Sequence, residues 1–212
     1  QSAGLYAQAM AERGFVTLAH DASYNGESGG QPHFTASFEA FIEDFSAGVD
    51  FLGTKPFVDR ERIGLLGICG SGSFGLAAAE TDPRIKAVAT VSMYDIGQAH
   101  RQGLAGSVDA GALKRNLSAI AKQRWAEADG AERTMVIGTP QKLTDESSDI
   151  DKEFYDYYRT ERGQHPRSST AFWRTSGAQM TLFWSFANLD WISPRPVLFI
   201  TGDKAHSRIF SE

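Results

Sequence analysis

Cysteine is all but missing: Cys69 stands alone in 212 residues. No internal disulfide can form, and a lone thiol is compatible with a reducing compartment. A cytoplasmic location is expected, although Gln1 rather than Met opens the chain and leaves a targeting segment upstream undecided. Long apolar runs are missing too. Nothing approaches the ~20 residues of a spanning helix, so no membrane is expected as a partner. There is no excess of basic charge: the formal net charge is −5, with acids and bases interspersed. Without a basic stripe to meet a phosphate backbone, nucleic acid is not an expected partner. No HExxH and no spaced Cys and His set occur, which excludes the usual metal-ligand patterns. Repeats and low-complexity tracts are lacking as well, leaving one globular domain as the starting point.

The hydrophobic spacing supplies the rest. Residues 3–13 have helical spacing with Gly14 as a stop, and Phe15 to Ala19 form a short β-rich run, so a helix and then a strand are expected. "DASYNGESGG" (21–30) is a loop by composition. Phe38, Phe41, Ile42, Phe45, Val49 and Leu52 then fall on one helical face. Three apolar runs, 63–68, 85–91 and 196–201, suit strands of a parallel sheet, and 74–80 suits a short helix after the first. The alternation of strand and helix predicts a doubly wound, mostly parallel α/β sheet. About a hundred residues separate the second and third runs, and they are read as a mostly helical cap over the strands' carboxyl ends. Within it, Phe154, Tyr157 and Tyr158 should turn inward from a charged helix over 145–162. The expected organisation is a core over 1–95, a cap over 96–192 and the core again over 193–212.

"GICGSGSFG" (67–75) admits two parses. Gly70, Gly72 and Gly75 match GxGxxG after a strand, with Asp95 about twenty residues on, which fits a dinucleotide site. Alternatively, Gly67 and Ser71 are the small residues flanking a strand-to-helix elbow, and Cys69 is the exposed nucleophile at its centre. Ser73 is a fallback nucleophile one turn into the helix.

The surroundings favour the elbow. "GFVTLAHDASYNGESGG" (14–30) resembles the fourth strand and following loop of α/β-hydrolases, "DPRIKAV" (82–88) the link to their sixth strand, and "RPVLFITGD" (195–203) their seventh. With Cys at the elbow, the pattern resembles dienelactone-hydrolase-like and peptidase S15-like members, whose elbow is commonly GxCxG. Here Ser71 replaces the last glycine.

The resemblance implies an α/β-hydrolase fold with its helical cap between strands 6 and 7, and no cofactor. It implies hydrolysis of a small-molecule carboxylic ester, lactone or thioester by an esterase or thioesterase in which Cys69 attacks the carbonyl. Gly70 N–H would hold the oxyanion, with a second donor from a loop before Gln1. A helix N-terminus and an imidazole would lower the thiol's pKa. Asp203 is the first choice of acid and Asp95 the second, and the histidine is expected after an eighth strand beyond Glu212. His20, His33, His100, His165 and His206 are then structural or solvated, and Glu27 is a solvent-facing loop residue in preference to an auxiliary carboxylate. Acyl transfer, a non-catalytic binding protein on the same fold and the dinucleotide reading are the alternatives. Substrate identity and oligomeric state are left open.

Overall fold

The computed structural model describes residues 2–168 and 170–212, with the side chain of residue 105 set aside. Helix α1 (Ser2–Ala11) ends in a turn closed by Gly14, whose φ of +91° only glycine adopts freely. Helix α2 (Phe38–Gly53) starts where the Ser37 hydroxyl accepts the Ala40 N–H at 3.2 Å, and its apolar face packs Ile42, Phe45, Val49 and Leu52 inward. Strand β1 (Gly64–Ile68), helix α3 (Ser71–Thr81) and strand β2 (Ala87–Val91) follow in quick succession. Strand β5 (Val197–Ile200) pairs with β2, so that among the described residues the parallel sheet has three strands in the order β1-β2-β5. Its register runs from Gly64 opposite Ala87 to Val91 opposite Ile200.

Between β2 and β5 the chain builds helices α4 (Ile96–Gln102), α5 (Ala110–Ala128), α6 (Asp149–Tyr158) and α7 (Gly177–Met180). The insert also contains an antiparallel pair, β3 (Met135–Ile137) with β4 (Ala171–Trp173), so it is mixed rather than purely helical. Phe154, Tyr157 and Tyr158 of α6 are half-buried, as their spacing predicts. Two apolar clusters hold the layers together. Leu76, Ala78, Ala79, Ile85, Val88, Met93 and Ile192 fill the space between sheet and helices. Phe74, Met180 and Phe183 join α3 to the insert, with Phe183 stacked between Phe74 and Phe38 at 5.3 and 5.2 Å.

Four expectations change. Residues 15–19 are not a strand: no described strand pairs with them, and Phe15, Val16 and Leu18 stay exposed. A β-rich run becomes a strand only where another strand takes its hydrogen bonds. The second strand begins at Ala87 rather than at 85, because the Ile85 N–H is spent on the turn carbonyl of Asp82. Helix α3 begins three residues earlier than expected, since Gly70, with helical φ and ψ, leads directly into it. Burial on β5 alternates, leaving Leu198 and Ile200 exposed, in place of the two-sided burial expected of an inner strand. Among the described residues no helix is long and apolar enough to cross a membrane.

Candidate active site

At the carboxyl end of β1 the chain reverses within a few residues. Cys69 still donates its N–H to Val91 O at 3.0 Å, continuing the ladder with β2, and then turns with φ +55°. A non-glycine residue in the left-handed region is strained by roughly 1–2 kcal/mol. The Cys69 carbonyl accepts two N–H groups, from Gly72 at 3.0 Å and Tyr94 at 3.1 Å, and these pin the turn. Glycine is required beside it: a Cβ on Gly67 would lie 2.6 Å from Gly72 Cα, and one on Gly72 would lie 2.5 Å from Met93 Cβ. A Cβ on Gly75 would likewise lie 2.5 Å from a Leu65 methyl. Gly72 and Gly75, two of the three fingerprint glycines, therefore serve close packing of strand on helix. A left-handed residue between backbone-contacting glycines is the geometry of an elbow.

The thiol is half-buried. Burial pushes it above its ordinary pKa, and the Gly70 N–H, hydrogen-bonded to it, pulls less strongly the other way. The lowered thiol pKa expected from the sequence is thus corrected, because desolvation outweighs the helix terminus. Ser73 is fully buried and its hydroxyl donates to Gly70 O at 2.9 Å, so no substrate can reach it.

The two candidate acids have different surroundings. Asp95 is buried and caps α4, accepting the Gln98 N–H at 2.8 Å. Asp203 is exposed on the loop after β5, where its carbonyl accepts from Arg208 at 3.1 Å. Neither makes a described contact to a histidine. The carboxylate that does is Glu153 of α6, whose Oε2 lies 3.4 Å from His206 Nδ1. His206 Nε2 is hydrogen-bonded to the Tyr94 hydroxyl, and its ring lies 5.7 Å from those of Tyr94 and Phe154. Far from solvated, His206 joins the loop after β5, the residues after β2 and the insert.

The other histidines fall elsewhere. His100, on α4, is held below its ordinary pKa by burial beside Phe172. His33 contacts Tyr24 O at 3.0 Å, His20 packs edge-on to Phe45, and His165 accepts the Arg167 N–H at 3.2 Å. Glu27 is ion-paired with Arg167. Clefts of about 480 and 410 Å³ are lined by residues of the insert, of α2's N-terminus and of the loop before it, and neither is lined by Cys69. Among the described residues no cluster could hold a metal ion.

The family model of the X-Pro dipeptidyl-peptidase (S15 family) matches residues 1–197. A protein of Pseudomonas aeruginosa, PA2218, is 46% identical over 224 residues, covering all of this chain and 58% of its own length. Its crystal structure superposes with a TM-score of 0.95 at 45% identity, over 100% of this chain and 66% of that one. YcjY of Escherichia coli is 34% identical over 212 residues, all of this chain and 69% of its own. The thiohydrolase apmlB of Arthrinium phaeospermum is 41% identical over 78 residues, 37% of this chain and 25% of its own. The α/β hydrolase GrgF from Penicillium sp. sh18 shares the fold, with a TM-score of 0.73 at 19% identity over 98% of this chain and 70% of that one. The chain thus spans little more than half the length of its Pseudomonas relative. On its motifs, its parallel sheet and its match over nearly the whole length, the chain belongs to the X-Pro dipeptidyl-peptidase (S15) family and has an α/β-hydrolase fold.

Proposed function

We propose that the protein is a dienelactone-hydrolase-like hydrolase of carboxylic esters, lactones or thioesters, with Cys69 as its nucleophile. The observation that carries the reading is the left-handed Cys69, which ends β1 and presents its thiol beside the first N–H groups of α3. The Gly70 N–H, already directed at the sulfur, is positioned to receive the oxyanion that forms when the thiolate attacks a carbonyl. Of the two acids, Asp203 retains an exposed carboxylate for orienting a histidine, whereas Asp95 is engaged as a cap. Residues 96–192 are the cap between the core segments 1–95 and 193–212, and the substrate is a small molecule. The name of the thiohydrolase relative supports the thioester branch.

The test is turnover of p-nitrophenyl esters and of a small acyl thioester. Cys69→Ala should abolish both, and the wild-type protein should carry an acyl adduct on Cys69 by mass spectrometry. Undiminished turnover in that variant would overturn the reading.

A further inference from the structure

We propose that the cleft of about 410 Å³ between α4, α5, the β3–β4 pair and α7 is a second binding site, which takes a small organic carboxylate with an apolar body and receives its charge on Arg174. Cys69 does not line this cleft, so the site stands whether or not that thiol is a nucleophile.

The walls follow from the periods of strand and helix. Side chains two apart on a strand share a face. Phe172 of β4 and Arg174 just beyond it accordingly line this cleft, with Val136 opposite Phe172 in the antiparallel register, while Trp173 and Thr175 line the cleft of about 480 Å³ on the other side. Across from Phe172, Asn116 and Ile120 stand one turn apart on α5, and His100 enters from α4 with its ring 5.8 Å from that of Phe172. Ile120 is buried, so the cleft has an apolar floor, and its volume falls within the few hundred to about 1,000 Å³ of small-molecule sites.

Among the described lining residues Arg174 carries the one permanent charge. Its backbone N–H is spent on Thr134 O at 2.9 Å, whereas its guanidinium, part-buried, makes no hydrogen bond or ion pair to a described residue. The carboxylate that lines the other cleft, Glu127, is engaged with the Gln123 amide at 3.1 Å and the Thr175 hydroxyl at 3.4 Å. A guanidinium beside apolar walls has lost hydration without gaining a partner, and a ligand anion supplies one. Its planar fork matches the two oxygens of a carboxylate. One positive charge suits a monoanion, and walls of Ile120, Val136 and Phe172 need an apolar body to cover them, which a bare inorganic anion lacks. His100 and Asn116 supply further polar contacts, since neither side chain is hydrogen-bonded to a described residue. Burial, and then the charge of Arg101, hold the imidazole below its ordinary pKa, so at neutral pH it offers one N–H and adds no second charge.

The test is isothermal titration at neutral pH with benzoate, phenylacetate and octanoate. At least one should give saturable heat, and its uncharged amide should bind about tenfold or more weakly, as expected for the loss of a charge-assisted pair. Arg174→Gln should weaken the carboxylate to a similar degree while leaving the melting temperature near wild type, because the guanidinium holds no described partner. Arg174→Lys, which keeps the charge and loses the fork, should fall between. Val136→Trp, at an exposed position on β3, should block the cleft without disturbing the core. Binding should persist in Cys69→Ala, which separates this site from the elbow and its failure from that of the nucleophile assignment. Absence of saturable heat from all three carboxylates would overturn the site, as would an affinity unchanged in both Arg174→Gln and Val136→Trp. Inorganic phosphate binding as tightly as the carboxylates would overturn the ligand class.

Discussion

At the scale of single residues, Cys69 combines a strained backbone, which opposes stability, with a desolvated side chain, which holds the thiol in its neutral form. Replacing it by glycine removes the left-handed penalty, since glycine lacks the Cβ that collides with the carbonyl. Cys69→Gly is therefore expected to raise unfolding free energy by about 1 kcal/mol in urea titrations while eliminating turnover, the trade expected where strain serves a site. The elbow was legible because small residues at fixed spacing have a local cause. The surroundings of His206 were not legible. Its partners are Tyr94, 112 residues away, and Glu153 on another element, and no periodicity records a contact of that separation. Asp95 likewise read as a ribose or triad acid, yet its position just before Ile96 is that of an N-cap.

At the scale of elements, α2, β1, α3 and β5 stand close to where apolar spacing put them, because each buries its periodic face against a neighbour. Residues 15–19 show the limit: composition supplies β propensity, but a ladder needs a second strand. The β3–β4 pair escaped notice for the opposite reason, as strands this short carry too few residues for alternation to register. Helix α4 carries a pH signature. Burial holds His100 below its ordinary pKa, so below about pH 6.5 the unfolded chain binds a proton that the folded chain resists. Stability from this residue is present above its folded pKa only in part and in full above pH 6.5, and is lost as the pH falls between them. His100→Gln should flatten that portion of the stability profile measured by urea titration from pH 7.5 to 5.

At the scale of the whole molecule, Arg195 fastens the end of the insert to the core. Its guanidinium donates to the carbonyls of Ala79 at 2.6 Å, Ile85 at 2.8 Å, and Asp82 and Ile192 at 3.1 Å, collecting the end of α3, the turn before β2 and the approach to β5. A lysine has neither the planar fork nor enough directed donors to reach them all. Arg195→Lys should lower stability by about 2–4 kcal/mol, through carbonyls left unsatisfied, as read by the urea midpoint.

The parallel ladder between β2 and β5 has a consequence for how the molecule assembles. These neighbours are separated by about a hundred residues of chain, so their pairing closes a long loop, while β1 and β2 close a short one through α3. The β1–α3–β2 unit can form early, as local contacts reward it at once. The third strand must wait for the insert to collapse, and it emerges from the ribosome after the two it joins. Until then the edge of β2 that β5 will occupy is open to other strands, and an overexpressed chain caught at that stage is most exposed to aggregation.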